Sequence, residues 1–550
     1  MIQPEARTMA LSTDPVRGAI DFHVHAGPHP FSSPRRSTPS RQLTSDCSGS
    51  LPRRRPPRRM ARHEVSAAVR TASLRVVQPH VRMGDPHVCS DDRHRLSLLH
   101  ACFEPLVRRG PGGSFVPALA HAWSVAADAR HWTFELARDA RWASGAAVHA
   151  EDAAASLRRV RDEPPAGELG TSGVYQSYLR GCAIDAVAAH RLEIVTPQPM
   201  ADLLDVLVEL FILPAEALGD VGALRGGSGA YRVVEQGAAS VTLERVPGAA
   251  GRAPRRLVFD AMADPHERAA TVAAGSAMIA CDVDPRVDPR VDPRIDLRGD
   301  RVATHWQSSS VATTFMFALE HGPARDHRVR QALNLAVDVP RIVDALFAGR
   351  ADPSASPCTP TQLGHDPALA PHPFDPTRAS ALLEEADASG LSLVFDVPAR
   401  LPDEAPRLAE LLAEQFAAVG VSLETIVHHD RPAYAEMVRE GAIHDAACFD
   451  SSPHSTFRLL REKFHAGARG VWWLGYADPE LDALVDRAQA TVDVERRREL
   501  YRSAARRLHY GCPWLYLYAP QLGWALAPEL AGWRPSPDGL VAFPNGRPGA

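Results

Sequence analysis

The sequence predicts an α/β protein of more than one domain, and three observations carry that reading. From about residue 74 onward, segments with apolar residues at helical spacing alternate with short runs of period two. Residues Leu408 to Val419 form an amphipathic helical pattern closed by Gly420 and followed at once by the strand-like Val421-Ser422-Leu423-Glu424, a crossover suited to a parallel sheet. A chain of 550 residues is also too long for one ordinary core, so two to four domains are expected.

Composition excludes several classes of function. An apolar content of 45% with 23% charged residues belongs to a globular chain, and a net charge of −5 over this length favours neither nucleic acid nor an anionic membrane as partner. No run of about 18 apolar residues occurs, so no membrane-spanning helix is expected. Lys463 is the one lysine of the chain. It stands in Arg461-Glu462-Lys463-Phe464, without the glycine-rich loop that a P-loop requires, and a Schiff-base enzyme would depend on it alone. The cysteines Cys47, Cys89, Cys102, Cys182, Cys281, Cys358, Cys448 and Cys512 contain no C-x-x-C pair and no disulfide framework, so scattered buried thiols are expected.

The elements follow in order. Residues 1–70 include a Ser/Pro/Arg-rich stretch with the basic run Arg53-Arg54-Arg55-Pro56-Pro57-Arg58-Arg59, a composition that cannot bury enough apolar surface to order itself. Within it, His23 and His25 would share one face of a strand, the arrangement two imidazoles need to share a metal. That pair resembles the first-strand H-x-H of amidohydrolase-type metal hydrolases, but the match dissolves into the Pro/Arg-rich stretch. The expectation is a remnant without a metal site, or a start codon placed too far upstream.

Leu74-Arg75-Val76-Val77 reads as a strand, Gly84-Asp85-Pro86 as a turn, and Leu96 to Val107 as a helix. Trp132 to Leu136 alternates as a half-buried strand, Gly145 makes a hairpin turn, and Glu151 and Asp152 belong to the first turn of a helix. Gly227-Ser228-Gly229 could cradle an anion. It leads into a hairpin through Tyr231 and Val241 to Arg245, which favours a structural turn. The repeats Val283-Asp284-Pro285-Arg286, Val287-Asp288-Pro289-Arg290 and Val291-Asp292-Pro293-Arg294 carry a proline in every period, which forbids helix and central strand and points to an exposed loop.

Val329-Arg330-Gln331-Ala332-Leu333-Asn334-Leu335-Ala336-Val337-Asp338, followed by Arg341-Ile342-Val343 and Phe347-Ala348-Gly349, reads as an amphipathic helix, a capped restart at Asp338-Val339-Pro340 and a glycine stop. This block resembles a signature of the bacterial extracellular solute-binding proteins, family 5 (cluster C), the binding components of peptide-type ABC importers. Further blocks in the expected order strengthen the resemblance. They include Phe103-Glu104-Pro105-Leu106-Val107, the stretch from Pro117 to Val125, Arg141-Trp142-Ala143-Ser144-Gly145, Gly227 to Val233, Asp375 to Ala386, Gly475 to Leu484, Asp493 to Tyr501 and Pro513 to Tyr518. Together they cover about residues 74–545.

The resemblance implies a two-lobed, periplasmic-binding-protein-like α/β fold with an extra subdomain in the first lobe. Lobe I would comprise 71–312 and 515–550, with the subdomain at about 115–225, and lobe II would comprise 313–514. The chain would cross between lobes near Ser308–Phe315 and again near Trp514–Tyr518. It further implies a non-catalytic protein that captures a solute by hinge closure and works with ABC permease subunits as a monomer, with no cofactor and no nucleic acid. A short peptide is the expected ligand, and nickel chelates, sugars and opines are taken by other members.

In peptide-binding members an acid in a loop of the second lobe receives the ligand's ammonium group. The loop here reads Ala447-Cys448-Phe449-Asp450-Ser451-Ser452-Pro453. Asp450 is the candidate, and aligning Pro453 instead puts Phe449 at that place. His454 directly after it is a further candidate. Trp472 and Trp473, taken as neighbours on a strand, would face opposite sides, one towards the cleft. Tyr231 is either core or pocket wall. A secreted member should open with a positive n-region and an apolar h-region, and neither follows Met1 or Met60. The compartment expected from the resemblance is extracytoplasmic, with a cytoplasmic regulator carrying a similar sensor domain as the alternative.

Overall fold

The thirteen-residue strand Trp514–Leu526 changes partners along its length, and the architecture follows from that change. Its first part lies opposite Thr313–Phe317, through Met316↔Trp514 to Thr313↔Tyr518, and its second part lies opposite Ala303–Ser308, through Ser308↔Gln521 to Ala303↔Leu526. The computed structural model describes residues 73–543 apart from 89–90, 168–170, 172, 249–252, 288–301 and 401. The basic run, His23, His25 and most of the four-residue repeat therefore lie outside the described residues.

The resulting mixed sheet has twelve strands and two halves. On one side of Trp514–Leu526 the order runs through Ile279–Cys281, Ser73–Gln78, Arg256–Ala261, Ser240–Arg245 and Tyr231–Gln236. On the other it runs through Thr313–Phe317, Ala446–Asp450, Ser392–Pro398 and Ser422–His428. The expected helix-to-strand crossover is present: helix Ala405–Ala417 ends before Gly420 (φ +78°), and Ser422–His428 pairs in parallel with Ser392–Pro398. Two lobes result, one on each half. The strand is buried throughout except at Pro520 and Gln521, where the change of partners falls and where a missing N–H costs the sheet least.

Local sequence sets most helix starts. Asp375, Asp430 and Asp478 each accept main-chain N–H bonds of the first turn and are each followed by a proline in that turn, where its missing N–H is harmless. The signature block folds as His327–Leu335 and Val339–Phe347, burying Val329, Ala332, Leu333, Ile342 and Val343 against the second half of the sheet. It ends in two left-handed residues, Ala348 (φ +49°) and Gly349 (φ +80°).

The helix expected at 96–107 is instead Arg93–Cys102, capped by Asp92. It stops early because the Cys102 carbonyl accepts from Gly227 N (2.8 Å) and Gly229 N (3.1 Å) rather than from the next helical turn. Phe103 is then extended, and Glu104–Pro105 pairs with Phe211–Ile212. The same bonds settle the glycine turn as structural, since they consume the N–H groups that an anion would need.

Between these strands the chain forms a separate four-stranded antiparallel sheet, in the order Ala120–Val125, His131–Leu136, Arg191–Val195, Ala183–Ala188. Its core is continuous with side chains of the second half, joining Trp132, Phe134, Leu157 and Leu207 to Phe457, Leu460 and Tyr501. Buried polar contacts cross the same boundary: Tyr178 Oη donates to Glu462 (2.8 Å), Tyr501 Oη donates to Asp202 (2.7 Å), and Arg497 lies 3.3 Å from Asp202. The six described cysteines are all buried free thiols.

A methyl group on Gly229 would lie 2.5 Å from the Ala101 carbonyl oxygen and from the Cys102 carbonyl carbon, both main-chain atoms. Gly229→Ala is expected to destabilise the protein by about 1–3 kcal/mol, read as a lower urea midpoint. An unchanged midpoint would show that the close approach is dispensable.

Candidate functional site

A cavity of about 90 Å³ lies where three parts of the molecule meet. The first half supplies His100 from helix Arg93–Cys102, and Tyr231 and Leu257 from the sheet; Arg108, Arg109 and Glu209 come from the segments flanking the four-stranded sheet. His454 is the one lining residue from the second half. The C-terminal segment closes the wall with Ser536, Asp538 and the apolar residues Leu540 to Phe543.

Its polar groups are incompletely matched. Arg109 Nη1 donates to Asp205 at 2.7 Å and its Nε is 3.9 Å from Asp538, while its buried Nη2 meets no hydrogen-bond partner among the described residues. His454 Nδ1 and Ser310 Oγ share a hydrogen bond, and His454 Nε2 is buried without one among the described residues. Glu209 accepts from Tyr175 Oη at 2.8 Å and lies 3.4 Å from the fully buried Arg458, which also bonds Glu462 at 2.9 Å. Asp91 stands beside this network with a buried Oδ1 lacking a partner among the described residues. Burial, opposed by Arg458 and reinforced by Glu209, pushes its carboxyl up to about 6. Burial also raises the Asp538 carboxyl, against the pull of Arg109. Burial holds the His100 imidazole down at about 3, so it is neutral at physiological pH. Unmatched donors and acceptors around one cavity are costly unless a guest supplies the missing partners.

The family model for bacterial extracellular solute-binding proteins, family 5 (Middle), matches residues 114–452. The chain belongs to this family. Among curated relatives it is 27% identical over 479 residues to a di/tripeptide-binding protein 2 of Pseudomonas aeruginosa, covering 80% of this chain and 87% of that protein. It is 26% identical over 446 residues to the nickel-binding periplasmic protein of Escherichia coli, covering 74% and 81%. Among solved structures, the periplasmic binding protein DppA of Helicobacter pylori, in complex with the peptide STSA, superposes with a TM-score of 0.69 at 18% identity, covering 83% of this chain and 94% of that one. That likeness shows the two-lobed fold. No helix among the described residues is long and apolar enough to cross a membrane.

Against this family-5 frame the sequence candidates divide. His454 and Tyr231 line the cavity. Tyr231 is 2% exposed and donates its hydroxyl to the Pro254 carbonyl (2.8 Å), so it offers the cavity a ring and not a free hydroxyl. Asp450, Phe449, Trp472 and Trp473 do not line it; Asp450, Phe449 and Trp472 form a second cluster around Lys463, and Trp473 lies instead against Arg469, 5.0 Å from its ring. Lys463 Nζ donates to the Asp450 main-chain oxygen (2.8 Å) and lies 4.9, 5.7 and 5.6 Å from the rings of Phe449, Trp472 and Trp514. Burial brings its amine down to about 8, with Asp450 pulling the other way. The Asp450 carboxylate accepts from Ser452 N (3.0 Å) and feels the positive charges of both Lys463 and Arg431.

The strand expected for Trp472-Trp473 is absent: Trp472 lies in a turn and Trp473 in the irregular stretch after it. Trp472 N bonds the Glu462 carbonyl (3.2 Å) and Trp473 N bonds the Gly470 carbonyl (3.0 Å), so the segment folds back on a helix end instead of pairing. Gly470 permits this by sitting against the Glu462 backbone, where a Cβ would be 2.4 Å from Glu462 Cα. Trp472 is buried and Trp473 half-buried, with its indole N–H on the Tyr476 carbonyl (2.6 Å).

Sequence reading missed Asp91, Arg109, Glu209 and Asp538. Glu209 carried a signal, a lone acid inside Leu207-Val208-Glu209-Leu210-Phe211, where a charge must be paired to be tolerated. Asp538 carried none, because Pro537-Asp538-Gly539 reads as an ordinary turn.

The raised Asp91 carboxyl fixes a pH dependence. Between its ordinary 3.8 and about 6 the folded protein keeps a proton that the unfolded chain has lost. This contribution is full below that window and is lost as pH rises through it. Asp91→Asn, which cannot ionise, is therefore expected to be more stable than the wild type at pH 8, on the order of 1–3 kcal/mol, and to lose that advantage near pH 4. Urea unfolding at both pH values checks it; an equal difference at the two would refute the assignment.

Proposed function

We propose that this chain is the non-enzymatic solute-binding component of a peptide-type ABC importer, acting outside the cytoplasm as a monomer with the importer's permease subunits. A short peptide is its ligand, in line with the di/tripeptide-binding relative, and the cavity around Arg109, Glu209, His454 and Asp538 is its binding site. The two halves of the sheet act as the lobes, 71–312 with 515–550 and 313–514, and the piece at about 115–225 as a subdomain.

The observation that carries this reading is the placement of unmatched buried polar atoms from different parts of the molecule, Arg109 Nη2 and His454 Nε2, around one cavity. A guest that satisfies both ties His454 of the second half to Arg109 of the first part of the chain. Closure is then populated because the ligand touches both sides at once. The connections able to absorb the change are Ser308 to Ala312 and Pro520-Gln521, joined by Ser309 N to the Pro520 carbonyl (3.0 Å).

Native mass spectrometry of the purified protein is expected to show a co-purified peptide, released on mild unfolding. His454→Ala removes the one lining side chain of the second half and is expected to weaken peptide binding about tenfold, roughly 1.4 kcal/mol, in calorimetry. Wild-type affinity in the variant would place the ligand elsewhere.

A further inference from the structure

We propose that Arg350 and the strand Ala351–Pro353 form a clasp, through which the second half grips the first across the shared strand and limits how far the two open. The inference rests on the reading of the two halves as moving lobes, and it needs no particular ligand. The Arg350 guanidinium lies 4.3 Å from the ring centroid of Trp306, which belongs to the first half. The two residues come from opposite edges of the shared strand: Trp306 stands opposite Gly523 on one edge, and Ala351 stands opposite Pro520 on the other. The indole reaches over the strand because Gly523 has no side chain, and a Cβ there would lie 2.6 Å from the indole Cη2. Asp352 makes a second grip. Its carboxylate accepts from Ser308 Oγ of the first half (2.6 Å) and from Gln521 Nε2 of the shared strand (3.4 Å). The peptide unit between Pro520 and Gln521 is held from both sides, its carbonyl by Ser309 N (3.0 Å) and its N–H by the Arg350 carbonyl (3.0 Å).

Both ends of the clasp are anchored. Trp306 packs against the small apolar cluster of the first half that contains Ala280 and Ala525. Ala351 is buried in the core of the second half. Arg350 follows the left-handed residues Ala348 (φ +49°) and Gly349 (φ +80°), which turn the chain out of helix Val339–Phe347 and towards the shared strand. The gripping side chains, by contrast, are only half-buried: Trp306, Ser308, Arg350, Asp352 and Gln521 all keep some contact with solvent. Water can replace these contacts as they part, so the clasp can open while both close-packed cores stay intact. Each contact joins one half to the other or to the strand they share. A change in the angle between the halves must therefore stretch or break it.

The test uses the full chain, freed of any co-purified ligand by unfolding and refolding, as wild type, Arg350→Gln, Asp352→Ala and the double variant. Arg341→Gln is the control, because Arg341 pairs with Glu414 inside the second half. Small-angle X-ray scattering reads the spread of the halves, and hydrogen exchange with mass spectrometry reads the amides of Ser309 and Gln521. Each single variant should raise the radius of gyration and speed exchange at these two amides about tenfold. The double variant should go further, and Arg341→Gln should change neither. Exchange in the core strands Ser73–Gln78 and Ser392–Pro398 should stay at the wild-type rate throughout. An unchanged radius overturns the clasp even if the two amides exchange faster, since that is local fraying. Faster exchange in both core strands also overturns it, since that is general loss of stability. Failure of the wild type to bind the dipeptide Ala-Phe would count against the peptide reading and would leave these outcomes as they stand.

Discussion

Everything in this molecule depends on one strand belonging to two half-sheets. Trp514–Leu526 pairs with Thr313–Phe317 along its first part and with Ala303–Ser308 along its second. A strand of this length spans roughly 40 Å, enough to leave one hydrophobic cluster and enter another. Leu515, Leu517 and Tyr518 belong to the core of the second half, and Leu522, Trp524 and Leu526 to that of the first. The changeover at Pro520-Gln521 is where burial lapses. The strand stays paired through the changeover, by Ala351↔Pro520 on one side and Ser308↔Gln521 on the other, so the two halves remain joined where their hydrophobic clusters part.

The charges follow the same division of labour. Several buried charges have partners within the protein: Arg458 between Glu209 and Glu462, Arg497 and Tyr501 beside Asp202, Lys463 on the Asp450 carbonyl beneath three aromatic rings. At the cavity the matching stops short, and Arg109 Nη2 and His454 Nε2 are buried without partners among the described residues. Burying ions is tolerable only when partners are in place.

Lys463 illustrates how a conspicuous residue can be structural. As the one lysine it drew attention to nucleophilic chemistry, yet it is 2% exposed and its amine is taken by a main-chain carbonyl and aromatic faces. It ties the end of strand Ala446–Asp450 to helix Thr456–Lys463 and, through Trp514, to the start of the shared strand. Phe449 and Trp472, candidates for a ligand wall, serve this anchor, with ring centroids 4.8 Å apart.

The sequence by itself determined what is encoded within a few residues. The Asp-Pro helix starts at Asp375 and Asp478, the glycine after Ala405–Ala417, the alternation of His131–Leu136 and the order of motif blocks identified the class of fold, because caps, turns and periodicity act over one or two turns of chain. The tertiary structure alone decided the site. The early stop of Arg93–Cys102 needs carbonyl partners at Gly227 and Gly229, the turn at Trp472-Trp473 needs the backbone of Glu462, and the juxtaposition of Arg109, His454 and Asp538 spans most of the chain. Apart from the reach of Trp472 back to Glu462, those contacts join residues more than a hundred positions apart, and no local pattern specifies which distant carbonyl or carboxylate will arrive beside a given side chain.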